Sequence, residues 1–271
     1  MNIVRADPAG NITIFVLDPI DDPALRIRAS KALLAEPSLK AEQVGFVISP
    51  ERRDSRSPAR WRLEMMGGEF CGNAARSFGL YTARKTGLTG KQDILVEVSG
   101  AADPVPVHAD LNLSTAEAEI PGPVAAAVLD FEGRPLPVYF FEGIAHIIIE
   151  DTDPCRALVL RLLECAQRAA GIAGQDALGL MFCKPGPSMR PVVHVRAADS
   201  LVYESSCGSG TAALAAHLSA GLGDGEYRWD VAQNGGVISA RLVKEAGKIR
   251  RIGIGGPVTL EGPISLRLPG F

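Results

Sequence analysis

Short runs of β-branched and aromatic residues alternate along the chain with stretches of helical periodicity. Asn11 to Asp18 (NITIFVLD), closed by Pro19, predicts a strand, as do Val44 to Ile48 and the alternating Trp61 to Met65. Leu25 to Leu34 carries apolar residues at helical spacing. After Gly67-Gly68 the character changes. Cys71 to Lys85 predicts a helix ended by Gly87, and strands follow at Ile94 to Val98 and Val105 to Ala109. A turn-rich stretch at Ile120-Pro121-Gly122-Pro123 marks a domain boundary. Beyond it the pattern restarts. Strands are expected at Pro137 to Phe141, His146 to Ile149, Pro191 to Val195, Gly236 to Leu242, Ile249 to Ile254 and Ile264 to Leu268, and helices at Cys155 to Ala170 and Cys207 to Ala220.

The two halves share a local signature. Cys71-Gly72-Asn73-Ala74-Ala75-Arg76 in the first is echoed by Cys207-Gly208-Ser209-Gly210-Thr211-Ala212 in the second, each after a strand and each opening a small-residue helix. Repetition in the same local order predicts two α+β domains facing each other, with one Cys-Gly helix start from each. The first domain is expected over 1–121 and the second over 122–259.

Composition narrows the function. The chain has 271 residues, 46% hydrophobic and 22% charged, with a net charge of −3, which is ordinary globular usage for two domains. No basic patch is visible, so a nucleic-acid partner is not expected. The stretch Glu51-Arg52-Arg53-Asp54-Ser55-Arg56 mixes both signs and reads as a solvated loop. No run approaches the roughly 18 consecutive apolar residues that span a bilayer, and the start Met1-Asn2-Ile3-Val4-Arg5 lacks a signal-peptide pattern. The expectation is a cytoplasmic protein with no membrane partner. The five cysteines show no metal-like spacing and default to free thiols.

A cysteine at a helix start lies beside free backbone N–H groups and the positive end of the dipole, which lower its pKa and favour thiolate. The same N–H groups hold a carboxylate. Gly72 and Gly208 admit a ligand close to the backbone, and Asn73 and Ser209 add polar groups. An amino acid between two such starts would have one sulfur on each face of its α-carbon. One thiolate would take the proton and the other thiol would return one to the opposite face, with no cofactor and no metal. The fixed dipoles of the helix starts would stabilise the enolate-like charge. Cys155, Cys165 and Cys183 fall in apolar surroundings and are expected to be inert core residues. His108, His194 and His217 are expected to be structural.

At these residues a resemblance becomes specific. Gly67 to Arg76 and Glu204 to Ala212 resemble the two cysteine motifs of diaminopimelate epimerases. Asn11 in Ala9-Gly10-Asn11, Gln43 before Val44-Gly45-Phe46, His146 in Gly143-Ile144-Ala145-His146, and Asn234-Gly235-Gly236 are similar to further family positions, in family order. The resemblance implies two pseudo-symmetric domains, each a mixed or antiparallel sheet wrapped around a central helix. It also implies a C-terminal strand (260–271) that returns to the first domain, and a possible homodimer. It assigns proton transfer to Cys71 and Cys207, and substrate contacts to Asn11, Gln43, Gly72, Asn73, His146, Glu204, Gly208 and Ser209.

Departures from the pattern point away from diaminopimelate. Ile144 stands where the epimerases have an asparagine, Ala197 to Leu201 lacks their arginine, and Leu178 to Met181 and Met65-Met66 are apolar where further asparagines are found. A buried distal carboxylate would lack partners there, at a cost of several kcal/mol. Glu42 to Phe46 and Gly68 to Asn73 look more like the histidine racemase branch, which supplies D-histidine for opine-type metallophores. Glu42, Glu69 or Glu204 could bind an imidazole. The alternatives are diaminopimelate epimerase itself, a proline racemase or phenazine-type isomerase, and a non-catalytic amino-acid-binding protein on the same scaffold.

Overall fold

In the computed structural model, residues 1–50, 61–123, 125–196 and 200–268 are described. The expected loop at Glu51 to Arg56 and the residues Ala197 to Asp199 lie outside them. The chain forms two compact units: residues 1–119 with 255–271, and residues 120–254.

The first unit is built from β1 (Asn2–Asp7), β2 (Thr13–Val16), α1 (Pro23–Leu34), β3 (Gln43–Ile48), β4 (Arg62–Met65), α2 (Gly72–Lys85), β5 (Lys91–Val98), β6 (Val105–Asp110) and β7 (Thr115–Ile120). β2 and β3 are parallel, with Thr13 opposite Gln43, and α1 is their crossover. β4 runs antiparallel to β3 and parallel to β5, and β5, β6 and β7 continue antiparallel. α2 is the helix the sheet wraps, and every residue from Gly72 to Ala83 is buried. A helix apolar on one stripe only could not be enclosed in this way. Here Ala74, Ala75, Phe78, Leu80 and Tyr81 meet Val4, Phe15, Leu63, Val96 and Val107 from five strands. α1 covers the opposite face through Ala29 and Leu33 against Ile3, Ile14, Val44 and Phe46.

The second unit repeats the order. It contains β8 (Ala125–Phe131), β9 (Arg134–Phe141), β10 (Ile144–Glu150), α3 (Arg156–Arg168), β11 (Ala177–Lys184), β12 (Ser188–Val195), β13 (Ser200–Tyr203), α4 (Gly208–Leu218), β14 (Gly225–Gln233) and β15 (Gly236–Glu245). β10 and β11 are parallel across the α3 crossover, β12 is antiparallel to β11, and β14 lies parallel to β12. The alternation along β10 sends Ala145, Ile147 and Ile149 to the core under α3, with Val159, Leu162 and Leu163. Its other face carries His146, which meets Ser209 of α4. β16 (Lys248–Pro257) leads back to the first unit, where β17 (Thr259–Ser265) pairs antiparallel with β1.

Several strands differ from expectation. The final strand is expected at Ile264 to Leu268 and lies at Thr259–Ser265. Gly262-Pro263 interrupts its apolar run, and pairing with β1 overrides that local signal. β1, β7, β8, β11, β13 and β14 add to the predicted set. β8 opens with three alanines and β7 alternates Ala with Glu, which are weak strand formers held by their neighbours. Cys155 is not a core residue. It is exposed at the N-cap of α3, because the buried stripe of that helix is Val159, Leu162, Leu163 and Ala166. Cys165 is half-buried beside Asp130 O at 3.3 Å, and Cys183 is buried as expected. Among the described residues no helix is long and apolar enough to cross a membrane.

Candidate active site

Both marked cysteines are helix N-caps, one residue before the helix rather than its first residue. Cys71 has φ −125° and ψ 110°, and its sulfur accepts from Ala74 N–H at 3.5 Å. Cys207 has φ −129° and ψ 117°, and its sulfur accepts from Gly210 N–H at 3.4 Å. Ser, Thr, Asp and Asn usually do this work through a side-chain oxygen. Here a sulfur in each unit takes the N3 N–H, which leaves it at the positive end of a buried helix.

Around Cys71 the first unit gathers Asn11, Glu42, Asn73 and Arg76. Asn11 is buried, and its amide nitrogen donates to Glu42 Oε2 at 3.1 Å. That contact turns Asn11 Oδ1 toward Cys71 Sγ, 3.7 Å away, where it accepts from the thiol. Gly72 and Asn73 occupy the first turn of α2 and are buried. Asn73 Oδ1 accepts from Arg76 Nε at 3.2 Å, so this oxygen is committed to the protein. Arg76 is fully buried, and its other donors reach Pro8 O, Gly256 O and Pro257 O at 2.9, 3.1 and 3.2 Å. Burial lowers its pKa to about 10, with Cys71 and Asp7 acting against that fall, so it remains a cation at neutral pH. Gln43, on β3, has a buried Oε1 with no partner among the described residues. Burial raises the Glu69 carboxyl against the pull of the Glu69 and Gly67 backbone N–H groups.

Around Cys207 the second unit gathers His146, Glu204, Ser209, Thr211 and Gln233. Gln233 Oε1 accepts from Cys207 N–H at 2.8 Å, and its Nε2 donates to Thr211 Oγ1 at 2.9 Å. Thr211 in turn donates to Cys207 O at 2.7 Å. A Cβ on Gly210 would lie 2.2 Å from Met181 Sδ, so a side chain there would require Met181 to move. Ser209 Oγ lies 3.7 Å from Cys207 Sγ and 2.9 Å from His146 Nε2.

The pKa of Cys207 runs against the helix-start argument. Burial, and then the neighbouring Glu204 carboxylate, raise it well above the ordinary value, while Gly210 N–H and Ser209 only partly lower it. The correction has a simple cause: the N-terminal dipole is weaker than the loss of solvent around a buried sulfur beside an acid. Cys207 therefore rests as a thiol.

The structure thus brings Asn11, Gly72 and Asn73 together with Cys71, and His146, Glu204, Gly208 and Ser209 together with Cys207. Arg76, Thr211 and Gln233 are site residues that the sequence motifs do not single out. Arg76 carries a readable signal, the one charged residue in the buried span of α2 from Gly72 to Ala83. Gln233 carries none, being 26 residues from its partner.

His146 is fully buried, and burial pushes its pKa down from 6.5 to about 3. As pH falls below 6.5 the unfolded chain takes up this proton while the folded protein does not, so stability is lost from about 6.5 down to about 3. At pH 5 this residue alone is expected to cost about 2 kcal/mol relative to pH 7. Urea unfolding at both pH values measures the difference, and His146→Phe should flatten it. A variant as acid-sensitive as the parent would show that the imidazole is not the titrating group.

A family profile described as the histidine racemase CntK N-terminal domain matches residues 1–262. The chain belongs to the histidine racemase family. The histidine racemase of Fusobacterium nucleatum subsp. nucleatum is 31% identical over 225 residues, covering 80% of this chain and 81% of that protein. The histidine racemase of Staphylococcus aureus is 26% identical over 242 residues, covering 86% and 85%. Among solved structures, a hydroxyproline epimerase from Agrobacterium vitis aligns with TM-score 0.65 at 16% identity, over 97% of this chain and 91% of that one. A predicted epimerase from Pseudomonas aeruginosa aligns with TM-score 0.63 at 15% identity, over 97% and 98%. At these identities the likeness is one of fold: this chain shares the α+β fold of those two structures.

Proposed function

We propose that this protein interconverts L- and D-histidine by moving the α-proton between Cys71 and Cys207, without a cofactor. The observation that carries the reading is the paired N-cap geometry: each unit presents one sulfur on the first turn of a buried helix, holding the N3 N–H. Family membership and the named relatives support histidine as substrate.

The chemistry needs one sulfur as base and one as acid in each direction. Glu204 and burial favour the protonated form of Cys207, which suits it to deliver a proton. The N–H groups of the helix starts suit the substrate carboxylate, and fixed dipoles there would stabilise charge that develops as the α-proton leaves. Asn11, Gln43, Gly72, Asn73, Glu204, Gly208 and Ser209 are assigned to substrate contact. Gln43 Oε1, which has no partner among the described residues, supports that role most directly, because a buried acceptor calls for a donor such as the substrate ammonium.

Chiral chromatography of a panel incubated with reduced protein tests the proposal. L-histidine should approach equal amounts of both enantiomers, while L-proline and L,L-diaminopimelate remain unchanged. Turnover of diaminopimelate at a rate comparable to histidine would overturn the substrate assignment.

A further inference from the structure

His146 has one nitrogen in a polar chain and the other outside it. Nε2 is 2.9 Å from Ser209 Oγ, which is 3.7 Å from Cys207 Sγ. Nδ1 is buried with no hydrogen-bond partner among the described residues. β10 and β11 set His146 opposite Gly179, and a Cβ built on Gly179 would lie 2.2 Å from Nδ1 and 2.9 Å from the Met181 methyl. Nδ1 therefore occupies the space that a side chain on Gly179 would take.

This decides where the single proton of the neutral ring resides. On Nδ1 it would be a buried donor with no acceptor among the described residues, and orphaned buried N–H groups are rarer than undersatisfied acceptors. On Nε2 it is used by Ser209, and only a lone pair goes unmet. Ser209 Oγ then accepts from the ring, and its own proton turns to its other neighbour, the sulfur of Cys207.

We propose that His146 is a positioning residue that holds Ser209 as a hydrogen-bond donor to the Cys207 sulfur. Its consequence for turnover rests on the racemase reading. When Cys207 serves as base it must become a thiolate, although burial and Glu204 oppose that form. A hydroxyl locked in the donor direction helps the thiolate without a fixed positive charge that would trap it. Because the ring stays neutral, it orients Ser209 and adds no cation.

Two readouts on the reduced full-length protein, neither needing an amino acid, test this. In protein labelled with ¹⁵N-histidine, long-range proton–nitrogen correlation should show His146 protonated at Nε2 and bare at Nδ1. Initial rates of iodoacetamide alkylation, resolved by peptide mass spectrometry, compare Cys207 with Cys71 in the same molecules. Ser209→Ala and His146→Phe should each slow Cys207 relative to Cys71 by about 3- to 10-fold, the size left after loss of one charge-assisted hydrogen bond is partly offset by higher intrinsic nucleophilicity. The double variant should be no slower than Ser209→Ala, and His146→Gln, which keeps an N–H donor, should recover most of the rate. A proton on Nδ1, an unchanged rate ratio in Ser209→Ala, or additive losses in the double variant would overturn the proposal. If His146→Phe fails to fold, the spectrum and Ser209→Ala decide. Absence of histidine racemisation by the parent protein would sink the functional reading and leave these outcomes readable.

Discussion

Cys71→Ser and Cys207→Ser are each expected to lower the rate of histidine racemisation by about 10² to 10⁴, the range that a positioned acid or base contributes. A serine hydroxyl is far too weak an acid to supply the alkoxide that would replace a thiolate. Serine is, however, among the best N-cap residues, and both sulfurs occupy N-caps. The helix starts should therefore survive the substitution, with circular dichroism and melting temperature equal to the parent or slightly higher. That combination, chemistry lost and fold kept, separates a reacting sulfur from a structural one. Turnover within a few-fold of the parent in either variant would remove that cysteine from the mechanism.

The second large effect is on stability. Arg76→Met is expected to destabilise the protein by about 3–5 kcal/mol, seen as a lower urea midpoint. The guanidinium satisfies Asn73 Oδ1, Pro8 O, Gly256 O and Pro257 O, and all of these acceptors belong to the first unit. It ties α2 to the segment leading into Asn11 and to the returning C-terminal segment. Methionine fills much of the volume but leaves the two buried acceptors, Asn73 Oδ1 and Pro8 O, facing a thioether, each at about 1–3 kcal/mol. Arg76→Lys should recover less than half of the loss, because an ammonium cannot reproduce a planar fork reaching several separated oxygens. A methionine variant as stable as the parent would mean that these carbonyls find water or each other once the cation is gone.

What was legible in the sequence was mostly local. The two Cys-Gly starts sit before small-residue helices, and both helices begin within one residue of where the pattern sets them. The α+β class and the repeated order of strand, crossover helix, strand and cysteine helix follow from periodicities that each segment carries by itself. The strands β11 and β14 were harder. β11 (ALGLMFCK) is apolar on both faces because α3 and α4 cover it, so it lacks alternation. β14 alternates aromatic with charged residues and owes its register to the hairpin with β15.

The site was less legible wherever a property depended on burial. The expected fall in the pKa of Cys207 considered only its own helix, and Glu204 with the enclosing core reversed it. Cys155 looked buried from composition, yet the helix turned that position outward. His146 is a candidate from the sequence, but its link to Ser209 spans 63 residues and depends on which face of β10 meets α4. The same long-range closure explains why Gln233 emerges only in three dimensions.

The two-thiol account is tested most directly by incubating reduced protein with L-histidine in deuterated water and following both enantiomers at early times. Two separate groups working on opposite faces should give D-histidine that carries deuterium at the α-carbon while the remaining L-histidine keeps its hydrogen. Deuterium entering L-histidine as fast as D-histidine forms would mean that one group serves both faces, and would contradict the assignment of Cys71 and Cys207 as a pair.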